Sequence, residues 1–222
     1  FYVYKQLASL WQTMGDMTSS ITYLKKANSL TPVDPDVAAD LATTYINQKA
    51  YLTADTIITK AMEADTANLL LLRDKAIVNY QLEKFPQTIE LCNKLIQQGE
   101  AGGEVINMRG GSYFMVKNYK DCITTFELLE QTQTATETSY YYMAMSYKAL
   151  ENHEKAIGYF NKAIKEAISS NANSYYSEMG DSYDKLHRLK NAANAYQKSL
   201  LYDPKPGITY YALAYLYDSE LK

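Results

Sequence analysis

Cysteine, proline, glycine and histidine are all scarce in this 222-residue chain, and each scarcity removes a class of protein. The two cysteines, Cys92 and Cys122, form no C-x-x-C pair, so neither a thioredoxin-like motif nor a zinc knuckle is available. Sequence leaves a disulfide between them open and favours two small core residues. Nine glycines and five prolines are too few for the many turns of an all-β protein. No apolar run approaches the roughly 20 residues that span a bilayer, so no direct membrane insertion is expected. No signal-peptide pattern follows Phe1, which leaves room for a targeting segment removed upstream, and the compartment (bacterial cytoplasm, periplasm or envelope) stays open. The net charge of −3 comes without a basic stripe to neutralise phosphates, which argues against nucleic acid as a partner. The two histidines, His153 and His187, sit in separate turn-like segments with no group nearby in sequence to orient them, and read as solvated turn residues. No H-E-x-x-H, G-x-S-x-G or Walker loop occurs, so neither enzyme activity nor a cofactor or metal site is expected. Gly102-Gly103 and Gly110-Gly111 lack the Lys-Ser/Thr ending of a phosphate loop and read as a turn and a close helix contact. Gly111 costs a mid-helix position about 1 kcal/mol against alanine. That leaves either tolerated drift or close approach of a ligand.

Tyrosine is abundant, at 22 residues, and hydrophobic residues make up 47% of a chain that is 21% charged, which fits a folded protein. The apolar residues follow a long period. Ala8 is flanked by Tyr4, Leu7 and Trp11, and steps of 34 lead to Ala42, Ala76, Gly110 and Ala144. A step of 36 reaches Gly180, and a last step of 34 reaches Ala214, flanked by Tyr210, Leu213 and Tyr217. The flanking residues fall at i−4, i−1 and i+3 around the small one, which is one face of a helix. A small residue mid-face lets two helices approach closely.

A second small residue follows twelve later, at Ser20, Ala54, Thr88, Cys122, Ala156 and Ala192. Four further on stand Leu24, Ile58, Cys92, Phe126, Phe160 and Tyr196, again at helical spacing. Polar turns such as Met14-Gly15-Asp16 and Asn47-Gln48-Lys49 separate the two helices. Units close at turn formers such as Thr31-Pro32 and Asp203-Pro204, and the two-residue slip falls in the polar stretch Ser169–Ser174, expected to be a loop.

This order of Trp/Tyr-x-x-Leu-Gly/Ala-x-x-Tyr, then Ala-x-x-x-Phe, then Ala, resembles the tetratricopeptide repeat, and Tyr140, Met143, Ala144, Tyr147, Ala156, Phe160 and Ala163 carry it best. The resemblance covers the whole chain. It implies an all-α, right-handed superhelical solenoid of antiparallel helix pairs: about 13 helices, as six full repeats plus one extra helix. Units start near residues 1, 35, 69, 103, 137, 173 and 207 and form a single array. Departures occur at Lys75, Asn79 and Arg109, where apolar residues are expected, with Tyr80 one place late. The last unit stops after its first helix and leaves Tyr211 and Tyr215 with little cover. That favours a longer protein of which this chain is a part, or a self-assembling end that makes a homo-oligomer.

The resemblance further implies that first helices line a concave side. There Ile77, Tyr80, Met108, Phe114, Met115, Tyr141, Tyr142 and Met145 are expected to form an apolar groove for a protein or peptide segment, or else to thicken the core. Asp36, Asp40 and Asp74 precede this stretch, and Glu178, Asp181 and Asp184 follow it; they read as solvated faces or as a preference for basic partners. Some family members clamp a peptide's C-terminal carboxylate with Lys, Asn and Arg. Lys5 stands at the first such place, but Ser9, Asp40, Leu70 and Asp74 occupy the following ones, which argues against that mode. The expected function is a protein-interaction scaffold; the alternatives are a structural element or a regulatory domain of a larger protein.

Overall fold

The computed structural model describes residues 1–166 and 171–219. Among them every regular element is an α-helix: α1 (Tyr2–Thr13), α2 (Met17–Leu30), α3 (Pro35–Asn47), α4 (Tyr51–Ala61), α5 (Leu69–Gln81), α6 (Phe85–Gln97), α7 (Gly103–Met115), α8 (Tyr119–Gln131), α9 (Glu137–Ala149), α10 (His153–Glu166), α11 (Ala172–Lys185), α12 (Leu189–Tyr202) and α13 (Gly207–Ser219). Odd-numbered helices are the first (A) and even-numbered the second (B) of each expected hairpin. Of the expected slip loop, Ser169 and Ser170 lie outside the described residues, while Asn173 and Ser174 are already helical in α11.

The small-residue register is the packing register. Ala8, Ala42, Ala76, Gly110, Ala144 and Gly180 are buried, as are their B-helix counterparts Ser20, Ala54, Thr88, Cys122, Ala156 and Ala192. In the first hairpin the Ser20 hydroxyl donates to the Ala8 carbonyl oxygen at 2.9 Å, a contact that two large side chains would prevent. Ala214 departs from the register and is exposed. Ala8 and Gly180 are covered by the B helices of their own hairpins, through Ser20 and Tyr196, and no described helix follows α13. Instead α13 buries Thr209 and Leu216, the latter in a cluster with Ala192, Ala193 and Tyr196 of α12.

Each hairpin turns on one left-handed residue. Gly15, Lys49, Glu83, Lys117, Glu151 and His187 share the same repeat position, and all have φ between 54° and 79°. The following amide closes on the carbonyl five residues back, as in Lys84 to Asn79 at 2.8 Å and Asn152 to Tyr147 at 2.9 Å. This pairing satisfies carbonyls that the ending helix leaves free. His187 is exposed here, as expected of a solvated turn residue, and His153 begins α10. Side-chain caps then restart the chain: Asp16, Asp34, Asn68 and Asn118 accept amides of α2, α3, α5 and α8.

The departures from the apolar pattern compensate one another. Lys75 of α5 reaches back to α4, where its ammonium meets Asp55 at 2.5 Å and the Thr59 hydroxyl at 2.6 Å. Asp55 stands where the equivalent B helices carry Ile21, Ile89, Ile123 and Ile157. One repeat later Arg109 donates to Asn93 at 3.2 Å, across the same 16-residue separation as Lys75 to Thr59. An apolar contact between neighbouring repeats has thus been exchanged for a polar one on both sides at once.

Tyr80, one place late, makes an edge contact with Phe85 at 5.9 Å and lays its ring over Gly111. A Cβ on Gly111 would stand 2.8 Å from the Tyr80 hydroxyl. The odd glycine thus faces the far end of a neighbouring side chain rather than a ligand. Cys92 and Cys122 are free and buried, and burial pushes their thiols up to about 12 and about 11, which fits core residues.

The chain divides inside α7 into two compact units, residues 1–112 and 113–222.

Candidate functional site

In the first unit, most of the expected groove side chains contribute to the core. Met108 is only 7% exposed and belongs to a buried cluster with Leu72, Ala76, Cys92 and Leu95; Ile77 and Tyr80 pack half-buried against it. The side chain of Met108 turns toward α5 and α6 and presents little to a partner.

The acidic residues of this unit differ among themselves. Asp36 and the α3 cap Asp34 hold Lys5 at 2.8 and 3.2 Å, so the lysine that resembles a clamp residue is already engaged within the chain. Partial desolvation, and then the neighbouring Asp36 charge, hold the Asp40 carboxyl above its ordinary range. Burial pushes Asp74 further, to about 6; Arg73 and a 3.5 Å hydrogen bond from Thr43 oppose this, and Glu104 and Asp40 add to it.

The second unit presents a connected aromatic surface. Phe114 at the end of α7 lies 5.0 Å from the ring of Tyr142 on α9, Tyr141 lies 5.9 Å from Tyr142, and Tyr175 of α11 lies 5.2 Å from Tyr141. The buried rings of Phe126 and Phe160 support this set from below, Phe126 stacking on Tyr142 at 5.8 Å with 5° between planes. Phe114, Tyr141, Tyr142 and Met145 are half-buried, and Met115 is 49% exposed. The rings are fixed at one edge and accessible at the other, a combination that suits recognition because little side-chain entropy remains to be lost.

Between α9 and α11 the surface opens into a cleft of about 320 Å³ lined by Thr138, Tyr141, Tyr142, Asn171, Ser174 and Tyr175. Sequence reasoning missed four of these six. A signal existed: Thr138 and Ser174 occupy the same position of successive repeats, separated by the same 36 residues as Ala144 and Gly180. Beside the cleft, the Tyr175 hydroxyl donates to Glu137 at 2.5 Å and the Asn171 amide does so at 3.4 Å. Lys148 of α9 binds Glu178 at 2.5 Å and Asp181 at 2.7 Å, and Asp181 also accepts the Tyr196 hydroxyl at 2.8 Å. Burial alone would lower the Lys148 pKa; the two carboxylates override it and raise it. Among the described residues no cluster of three or more His, Cys, Asp or Glu is arranged to hold a metal ion, and no helix is long and apolar enough to cross a membrane.

Residues 137–167 and 174–206 match the family description "Tetratricopeptide repeat". Those two stretches carry the tetratricopeptide repeat. The TPR repeat-containing protein MJ1428 of Methanocaldococcus jannaschii is 28% identical over 131 residues, which are 57% of this chain and 23% of that relative. The chain thus spans under a quarter of that relative's length. Among solved structures, YrrB, described as a TPR protein with an unusual peptide-binding site, superposes with a TM-score of 0.74 at 14% identity, covering 85% of this chain and 96% of that one. The MamA protein gives 0.69 at 19% identity, covering 77% and 92%. At such identities the likeness establishes the tetratricopeptide fold and nothing narrower.

Proposed function

We propose that this chain holds a peptide segment of a partner protein against the A-helix face of its second unit, with Phe114, Tyr141 and Tyr142 as the principal anchors. The observation that carries the reading is the run of half-buried rings from α7 to α9, which meets the buried ring of Tyr175 on α11 and opens into a cleft. Aromatic residues concentrate binding energy at interfaces because they bury much area with few rotatable bonds. A structural neighbour described as having a peptide-binding site adds support by analogy. Met115 and Met145 extend the surface with adaptable side chains.

A peptide-library screen tests this, with wild-type chain, a Tyr141→Ala/Tyr142→Ala variant and a Thr138→Arg variant in parallel. Thr138 is exposed, so its arginine obstructs the face without touching the core. Hits lost in both variants, with helicity by circular dichroism unchanged, are the expected result. Hits that survive Thr138→Arg would place binding elsewhere.

The apolar ends favour a second reading. Val3 and Leu10 of α1 and Met14 at its C-terminal cap are exposed, while α13 exposes Tyr211 at 74% and Tyr215 at 57%. Two different apolar surfaces suit head-to-tail contact between copies. Mass measured by light scattering should then rise with concentration and stop rising in Tyr211→Glu; a constant monomer mass would discard this reading.

A further inference from the structure

The rings of Tyr141, Tyr142 and Tyr175 meet at angles of 50° and 33° and form a bent wall rather than a flat stack. The faces of such rings carry the negative end of the aromatic quadrupole. The other lining residues are Thr138, Asn171 and Ser174, so the cleft contains no formal charge of its own. A carboxylate stands at its edge: Glu137 precedes Thr138 and is bridged to the opposite wall by the Tyr175 hydroxyl and the Asn171 amide. A second carboxylate, Glu178, acts on the Tyr141 hydroxyl, whose pKa is raised by burial first and by this charge second. The neighbouring cation, Lys148, is shared between Glu178 and Asp181. A neutral cleft with π faces and an acidic edge attracts a cation and gives an anion nothing to bind.

We propose that this cleft is the anchor site for one basic side chain, lysine or arginine, of the segment bound on the second unit's aromatic face. The proposal rests on the peptide-binding reading above and assigns that reading its chemistry. The aliphatic stem of the side chain lies against Tyr141 and Tyr142, and its charged head reaches toward Glu137. The cleft volume of about 320 Å³ accommodates one long side chain and excludes a whole helix. Tyr175 is buried and its hydroxyl is held by Glu137, so this wall is in place before any ligand arrives.

Titration of the ¹⁵N-labelled chain with N-acetyl-lysine methylamide, and separately with the norleucine and glutamate analogues, tests the proposal through the amide shifts of Thr138 and Ser174. Norleucine matches the lysine stem without its charge. The lysine probe should bind about five- to tenfold more tightly than norleucine. Glu137→Gln should narrow that ratio, and Tyr141→Leu should abolish it. Equal affinities for lysine and norleucine, a preference for glutamate, or shifts absent from Thr138 and Ser174 would each overturn the basic anchor. The two readings fail separately. Library hits that Thr138→Arg abolishes but that carry no enriched Lys or Arg position leave the aromatic face standing as a peptide site and remove only the basic anchor. The absence of any such hits removes the peptide site itself.

Discussion

Two glycines show how one missing methyl group can mean different things. At Gly180 a Cβ would stand 2.5 and 2.6 Å from the ring carbons of Tyr196, a buried side chain with its hydroxyl tied to Asp181. At Gly111 the added atom would meet only the hydroxyl end of the half-buried Tyr80. Alanine improves helix propensity by about 1 kcal/mol at either place. Gly180→Ala should nevertheless destabilise by about 1–3 kcal/mol through forced repacking, while Gly111→Ala should be neutral or stabilising. Urea midpoints decide, and equal effects at both sites would refute the distinction. Asp74 gives a test by pH. Its folded pKa of about 6 lies above the ordinary 3.8, so between these values the folded state retains a proton that the unfolded state has released. Stability contributed by this group is therefore present at low pH and lost as pH rises through that window. Asp74→Asn should remove this part of the slope and gain stability at about pH 7 relative to about pH 4; a gain independent of pH would sink the assignment. The small-residue register was legible residue by residue, because close helix approach admits few side chains. The role of Gly111 was not, since its partner Tyr80 lies on a different helix and outside the usual position.

At the level of helices, polar residues in apolar positions form pairs. Lys75 alone looks like a defect; beside Asp55 and Thr59 it is half of an exchange. Lys75→Leu leaves the partly buried Asp55 with only Lys84 at 3.2 Å and should cost about 1–3 kcal/mol. The double change Lys75→Leu/Asp55→Ile recreates the apolar contact and should recover most of that loss. A double-mutant cycle measures the coupling, and simple additivity would show the pair to be independent. Sequence periodicity located both residues but could not reveal their contact, because helical period describes a single helix and this pairing joins two. The left-handed turns were hidden for another reason. Glycine marks the position only at Gly15, and elsewhere lysine, glutamate and histidine accept the strain. Lys117→Gly and Glu151→Gly should each stabilise by about 0.5–1 kcal/mol in thermal unfolding, because glycine adopts this conformation without a Cβ penalty; destabilisation by both would contradict the turn geometry.

At the scale of the molecule, stability in a repeat protein comes from neighbours, and an end has fewer of them. The helix α13 buries few residues, and its expected packing residue Ala214 lies in the open. Amide hydrogen exchange should therefore be fastest in α13 within the second unit and slowest in α8 to α12, which bury Phe126, Phe160 and Tyr196. Equal protection along this unit would mean that the end is covered in solution, as head-to-tail contact between copies would require. The repeat count and helix order were readable from the sequence because they recur. The cleft at Tyr175 was not, since its walls come from two repeats whose residues differ.

The left-handed turns also bear on how this chain can change. Glutamate codons lie one nucleotide from glycine codons, so at Glu83 and Glu151 a stabilising substitution is within reach of a single point mutation. That both positions still hold glutamate fits a protein already stable enough for its work, in which further gains pass unselected. The hairpin turns are then a store of latent stability, open to compensating costlier changes on the aromatic face, where new binding preferences would have to be tried.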